Sequence, residues 1–217
     1  MISLTFDDGW KNQYTRALPI LERLNLKGTF YVITQMPEYM LEEGEGRMII
    51  DEWVDLNQKG HEVGAHSRTH PHLQFCMPNK LKREILGSKN DLLKIGIEAK
   101  TFCYPYGRRN FIVDSIVRSS GFEAARLAEG NYNNKKTSKF NLNAFCLRDF
   151  TTFEEVIKMI DYSKMNNLWL ILVFHQIEPN PTSWGTSPEL FEKICEYINN
   201  KKYQVVTVED GIKTFLQ

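Results

Sequence analysis

Charge of one sign is missing from this chain: 27 Lys and Arg balance 27 Asp and Glu, so the formal net charge is zero. A nucleic-acid-binding protein usually carries a basic excess, and the composition argues against that class of partner. Paired cysteines are missing too. Cys76, Cys103, Cys146 and Cys195 are far apart with no CxxC spacing, which argues against a cysteine zinc site. It also argues against a disulfide framework in a chain of 217 residues. The four read as small buried apolar residues. No apolar run is long enough to span a bilayer; the longest, Leu168 to Phe174, falls far short. No signal peptide precedes the first motif, which fits either a cytoplasmic protein or a secreted or envelope domain whose leader has been removed. No repeat, low-complexity tract or linker divides the chain, so residues 1–217 read as one domain.

What is present is an alternation of two periodicities. Strand-like segments are Ile2–Phe6, Thr29–Ile33, Glu62–Ala65, Thr101–Tyr104, Phe122–Arg126, Asn143–Arg148, Leu168–Phe174 and Gln204–Val208. Between them lie helical patterns at Asn12–Asn25, Ile49–Gln58, Lys80–Ile95, Asn110–Ser120, Thr152–Met165 and Pro188–Asn199. Thr151 or Thr152 followed by Glu154 or Glu155 makes a capping box. The wholly apolar Leu168–Phe174 segment is what a parallel strand covered on both faces requires. The Glu-rich stretch from Gln35 to Gly46 reads as a surface loop. Repeated β-then-α units imply right-handed crossovers and a parallel sheet. Seven or eight of them favour an α/β fold with a closed or nearly closed barrel over an open sheet.

In such folds functional groups collect at the carboxyl ends of the strands. Here those ends carry Asp7-Asp8-Gly9, His66-Ser67-Arg68-Thr69-His70, Tyr104-Pro105-Tyr106-Gly107 and His175. Adjacent carboxylates at a buried strand tip repel one another, and a metal or a proton-transfer role accounts for them better than stability does. On a helical turn, the four-residue spacing of His66 and His70 would put both imidazoles on one side. With a carboxylate from another strand they form a two-His, one-carboxylate set with open positions. Iron oxygenases use that set as well, on an all-β scaffold that this alternation does not match.

Thr5-Phe6-Asp7-Asp8-Gly9, His66-Ser67-Arg68-Thr69-His70, Phe102-Cys103-Tyr104-Pro105-Tyr106-Gly107 and Leu170-Ile171-Leu172-Val173-Phe174-His175 together resemble the ordered motifs of the polysaccharide deacetylase family. The resemblance implies a distorted (β/α) barrel, one divalent metal, most commonly Zn2+, and removal of N-acetyl groups from a carbohydrate substrate. It implies Asp8, His66 and His70 as metal ligands, Asp7 as general base and His175 as general acid. A backbone N–H near Tyr106 would stabilise the oxyanion. The Tyr-Pro-Tyr-Gly form points toward poly-N-acetylglucosamine.

Two departures stand out. Family members often place an arginine at the position of Cys103, where it pairs with the base aspartate; a thiol has neither its charge nor its fork. Arg126 is the expected substitute and Arg148 the second choice. No acidic partner for His175 is evident, with Glu129 and Asp149 as candidates, and Gln176 stands where many relatives have Asp. Trp10, Tyr106 and Trp184 are the candidate sugar-stacking aromatics. Two other readings remain: an amide hydrolase for a small non-polymer substrate, and a carbohydrate-binding relative weakened in catalysis.

Overall fold

The computed structural model describes residues 1–38 and 45–216. Half of the Glu-rich loop expected at 35–46, residues 39–44, therefore lies outside the described residues. In chain order, the elements are β1 (Ile2–Phe6), α1 (Leu18–Arg23), β2 (Gly28–Val32), α2 (Ile50–Gln58), β3 (Glu62–Ala65), α3 (Pro78–Lys94) and β4 (Thr101–Cys103). They continue with α4 (Phe111–Ser119), β5 (Ala124–Arg126), β6 (Phe145–Cys146), α5 (Phe153–Met165), β7 (Leu170–Phe174), α6 (Pro188–Asn200) and α7 (Val208–Thr214). The strands form one seven-stranded sheet in the order β5-β4-β3-β2-β1-β7-β6, and every pair is parallel.

The sheet curls into a barrel. Leu142 bonds to the β5 edge, accepting from Leu127 N at 2.8 Å and donating to Ala125 O at 3.1 Å. Four residues later Cys146 pairs with Val173 of β7. The 142–146 segment thus connects the two sides of the sheet. The Asn143–Arg148 strand expected here shortens to two residues because it serves this joint rather than a long ladder.

Period-two alternation separates two apolar layers. Ile2, Leu4, Phe6, Phe30, Leu170, Leu172 and Phe174 point outward against the helices and form the larger cluster. Ala124, Trp169, Ile171 and Val173 point inward and meet Val208, Ile212 and Phe215 around α7. Gly64 is required inside the barrel: a Cβ there would lie 2.5 Å from the Tyr31 ring. Gly211 is required in α7, where a Cβ would lie 2.3 Å from Trp169.

The C-terminal expectation is corrected. Gln204–Val208 is not a strand; it reduces to one bridge between Val205 and Ile2. The β1 edge that faces β2 is unpaired before Leu4, and Gln204 O and Val206 N occupy it, both at 3.0 Å. The chain then turns into α7 with Thr207 as its N-cap, accepting from Asp210 N. The Thr152–Glu155 capping box is present at the start of α5. The segment after Trp10 begins as a π-helical turn, Gln13–Ala17, before α1 continues it.

Candidate active site

One end of the barrel gathers the tips of β1, β3, β4, β5 and β7. Asp7 and Asp8 follow β1, His66 follows β3, Cys103 ends β4, Arg126 ends β5 and His175 follows β7. Asp7, Cys103, Arg126, His66 and His175 have the inward-facing parity. The chain reverses sharply at these tips: Asp8, Gly9, Ser67, His70, Tyr106 and Gly107 all have positive φ. Left-handed backbone is costly for residues with a Cβ and collects at functional sites.

Asp8, His66 and His70 converge on one point. Asp8 Oδ1 is 3.4 Å from His66 Nε2 and 3.5 Å from His70 Nε2, and the two nitrogens are 3.2 Å apart. The His66–His70 segment is not the helical turn that its spacing suggested. His66 leaves the strand, Ser67 reverses the chain, and His70 N donates to Ser67 Oγ at 3.0 Å. His66 Nδ1 lies 2.8 Å from the carbonyl of Cys103. A carbonyl only accepts, so Nδ1 donates to it and Nε2 is the nitrogen turned toward Asp8 and His70. Asp8 Oδ1 is buried and receives no hydrogen bond. Two imidazole nitrogens and a bare carboxylate oxygen facing one another fit a divalent cation, with room for further ligands.

Asp7 sits behind this set. It is buried, and Arg126 Nη2 donates to its Oδ1. Arg126 is wholly buried, and its Nη2 also lies 2.9 Å from Cys103 Sγ while Nη1 donates to Leu127 O at 2.9 Å. In a flat sheet β5 would lie four strands from β1, or ~19 Å at the usual strand spacing. Only the curl brings the guanidinium to the carboxylate. Burial pushes the Asp7 carboxyl upward, but Arg126, with His66 and His175, outweighs it and holds the group below the ordinary carboxylate value. Burial likewise opposes ionisation of Asp8, and the facing His66, His175 and His70 hold it far below that value. Burial and the charge of His66 lower His70 to about 4. Burial opposes charge on His66 as well, yet Cys103, Asp8 and Asp7 raise it well above an ordinary imidazole.

The polysaccharide deacetylase family model matches residues 1–125, more than half of the chain. The chain belongs to the polysaccharide deacetylase family. Among curated relatives it is similar to the peptidoglycan-N-acetylglucosamine deacetylase PgdA of Listeria monocytogenes, at 32% identity over 115 residues, covering 50% of this chain and 22% of that protein. It is also similar to the putative polysaccharide deacetylase YxkH of Bacillus subtilis, at 24% identity, covering 56% of this chain and 42% of that protein. The chain therefore spans less than half the length of these relatives. Among solved structures, a family 4 acetyl xylan esterase from Clostridium thermocellum in complex with a cobalt ion superposes with a TM-score of 0.67 at 23% identity, covering 98% of this chain and 90% of that one. The Xyl-CE4 domain of a multidomain xylanase from the hindgut metagenome of Trinervitermes trinervoides gives a TM-score of 0.65 at 21% identity, covering 98% and 89%. At such identities these structures speak for the fold, which is the deacetylase (β/α) barrel.

Around the Asp8–His66–His70 centre the remaining candidates divide. Tyr106 stands beside it, half exposed, with its ring 4.6 Å from that of His70 and stacked at 3.8 Å on His72. Trp184 is also near: its ring centre is 5.6 Å from that of His175, and the Arg148 guanidinium lies over its ring at 3.5 Å. Arg148 thus packs on Trp184, and it is Arg126 that reaches Asp7. Trp10 is a correction. It is only 5% exposed and the Arg47 guanidinium covers its ring at 3.1 Å, so it offers a sugar no open face. Neither Glu129 nor Asp149 bonds to His175, whose Nδ1 is buried without a hydrogen-bond partner among the described residues. Gln176 serves the following loop, taking hydrogen bonds from Thr186 N at 2.9 Å and Thr182 Oγ1 at 3.0 Å.

Two site residues are not singled out by sequence. Gln13 Nε2 donates to Asp7 O at 2.6 Å and to His175 O at 3.0 Å, clamping the tips of β1 and β7 together. Asn12 Oδ1 accepts from Ile177 N at 2.9 Å. Their only advance signal is two amides directly behind Asp7-Asp8-Gly9-Trp10 in a segment otherwise patterned as a helix. A cavity of about 480 Å³ opens beside Asp8 between Thr34, Met48, Ile50 and Trp53.

Proposed function

We propose that this chain is a metal-dependent hydrolase that removes acetyl groups from N-acetylated sugars, with poly- or oligo-N-acetylglucosamine as the favoured substrate class. The observation that carries the reading is the pairing of an Asp8–His66–His70 ligand set with a separate, arginine-anchored Asp7. A cation site alone would need no second buried carboxylate.

Asp8, His66 and His70 would hold the ion, and Zn2+ suits a set of two imidazoles and one carboxylate with positions left open. When bound, a divalent ion supplies Lewis acidity and stabilises developing negative charge. Asp7 takes the proton of the attacking water. Its Oδ1 is engaged by Arg126 and its Oδ2 only by the weak thiol contact from Cys103 Sγ at 3.6 Å, so Oδ2 is the accepting oxygen. Arg126 keeps Asp7 ionised over the whole neutral range, so the base is always available even though its basicity is reduced. The backbone N–H near Tyr106 would donate to the oxyanion. His175 returns a proton to the leaving amine. Its Nδ1 is buried, so Nε2 is the nitrogen that serves the cleft.

The test is acetate release from a panel of N-acetylated glycans, polymer and monosaccharide, with chelator and with zinc or cobalt restored. Metal-dependent release from oligomers is expected. Asp7→Asn should retain the metal and lose about 10²–10⁴ in turnover, the range for a positioned acid or base. Full activity in Asp7→Asn would remove the assignment of the base. Preference for a small amide would favour the non-polymer hydrolase, and glycan binding without any release would favour the weakened binding relative.

A further inference from the structure

Two loops beside the metal-ligand cluster carry large apolar side chains out into solvent. Phe75 is 81% exposed and Met77 75%, in the turn that follows His70. Phe111 is 84% exposed and Ile112 51%, at the start of α4. They belong to one patch, because α4 packs against the 73–75 turn and Asn110 Nδ2 donates to Gln74 O at 3.2 Å. The patch continues into the site: the His72 ring is 6.2 Å from Phe75 and stacks on Tyr106, which packs on His70. A single exposed apolar residue needs no explanation, but a cluster of four at the mouth of a site marks a contact surface.

The two stretches that form it carry charge of one sign, although the exposed Glu129 lies close by, next to Ala128, which packs on Gly107. No Asp or Glu occurs from Pro71 to Arg83 or from Tyr104 to Val113, while these stretches hold Lys80, Lys82, Arg83, Arg108 and Arg109. Lys80 and Arg108 are exposed. The carboxylates that flank the two stretches are already engaged. Glu84 accepts from Arg68 N, Thr69 N and Thr69 Oγ1, and Asp114 holds Tyr104 Oη and Arg118. A chain with no net charge thus places five cations and no carboxylate in the two stretches that carry Phe75, Met77, Phe111 and Ile112.

We propose that this rim docks the active-site face onto an anionic lipid surface. Phe75, Met77, Phe111 and Ile112 enter the headgroup–acyl boundary, and Lys80 and Arg108 meet the anionic headgroups. Sugar binding explains the patch less well, since Met77 and Ile112 have no flat face for a ring and both phenylalanines stand out from the surface. Docked this way, the mouth between Tyr106 and Trp184 sits at the membrane and takes sugars presented there. The inference does not depend on the deacetylase reading, because vesicle binding is measured without turnover.

The experiment is co-sedimentation of the full chain with vesicles of phosphatidylcholine alone and of phosphatidylcholine mixed with phosphatidylglycerol, at low and high salt. Binding to the anionic vesicles that weakens with salt is expected. Phe75→Ser and Phe111→Ser should each lower the partition about tenfold through lost apolar burial. Lys80→Gln and Arg108→Gln should each lower it about fivefold on anionic vesicles only. Melting temperature and hydrolysis of a soluble substrate should not change in any of the four. Absence of sedimentation with anionic vesicles overturns the proposal, as does equal sedimentation of the Phe75→Ser/Phe111→Ser double variant. Vesicle-indifferent protein whose glycan retention falls in that variant assigns the patch to sugar, and self-association lost in it assigns the patch to a second copy of the chain.

Discussion

Asp7 and Glu62 are both carboxylates buried inside the same barrel, at opposite ends, and they are held in opposite protonation regimes. Asp7 faces a wholly buried guanidinium. Glu62 faces only neutral donors: Thr29 Oγ1 at 2.8 Å, Glu209 N at 2.9 Å and the Thr101 hydroxyl. Burial acts upward on both. Arg126 overcomes it at Asp7, whereas at Glu62 the hydroxyls and one N–H do not, and the group is raised to about 7. Depth in the barrel is therefore not what decides charge; the presence of a matching cation is. The two ends also differ in backbone. The Asp7 end is built from positive-φ residues, while the Glu62 end is sealed by the regular helix α7, tied down through Val208 N to Thr29 Oγ1 and Glu209 N to Glu62.

Substitution at Arg126 breaks the comparison most directly. Arg126→Ala leaves a buried carboxylate without its partner and should cost about 3–5 kcal/mol in denaturant unfolding. In whatever fraction folds, the acid limb of the pH–rate profile should move to higher pH as Asp7 regains a raised pKa. An unchanged profile and undiminished turnover would separate Arg126 from the base.

Metal addition and the Glu62 end should follow, with effects of similar size. At a free metal concentration of 100 times its Kd, stability should rise by about 2.7 kcal/mol, reversed by chelator and absent in His70→Ala. The gain should shrink as pH falls, because protons compete for His66 and His70.

The Glu62 end can be tested through pH alone. Its folded pKa of about 7 exceeds the usual carboxylate value, so the folded state holds the extra proton between the two. Stability from this group is full at about pH 4 and is lost as pH rises through 7, by roughly 3 kcal/mol for the shift involved. Asp7 has the opposite sign: its contribution is present above about pH 3.9 and is lost as pH falls toward its lowered folded value. Glu62→Gln should match the parent near pH 4, exceed it at pH 8, and flatten the neutral slope in urea titrations. An equal deficit at both pH values would mean that the network needs the carboxylate for shape rather than suffering its charge.

Cys103→Ala should give the smallest effect, about 1 kcal/mol for a weak buried contact, with the Arg126–Asp7 pair intact. A loss as large as that of Arg126→Ala would make the thiol a true member of the base network.

Much of this could be read ahead of the structure. Polar residues at the ends of β1, β3, β4 and β7 stood out against apolar strands, and the Thr152–Glu155 cap was visible as a spacing. Trp10 was misread because sequence shows an aromatic beside the motif but not the Arg47 guanidinium that covers it. Gln204–Val208 was misread because a β-branched segment has strand propensity wherever it lies, while whether it pairs depends on a free edge, here only the start of β1. Gln13 was invisible because its role is to bond two carbonyls that are 168 positions apart in sequence, Asp7 and His175.

The sequence by itself determined the alternation of strand and helix, the one-sided collection of Asp7, Asp8, His66, His70 and His175, and the absence of an arginine at Cys103. Those are consequences of periodicity and residue chemistry, which are local. Arg126 was the substitute expected from sequence, ahead of Arg148; tertiary structure decided how it reaches Asp7. A guanidinium 119 positions away meets Asp7 only because the sheet curls until β5 faces β1, and that closure depends on the short 142–146 joint, which no local pattern announces.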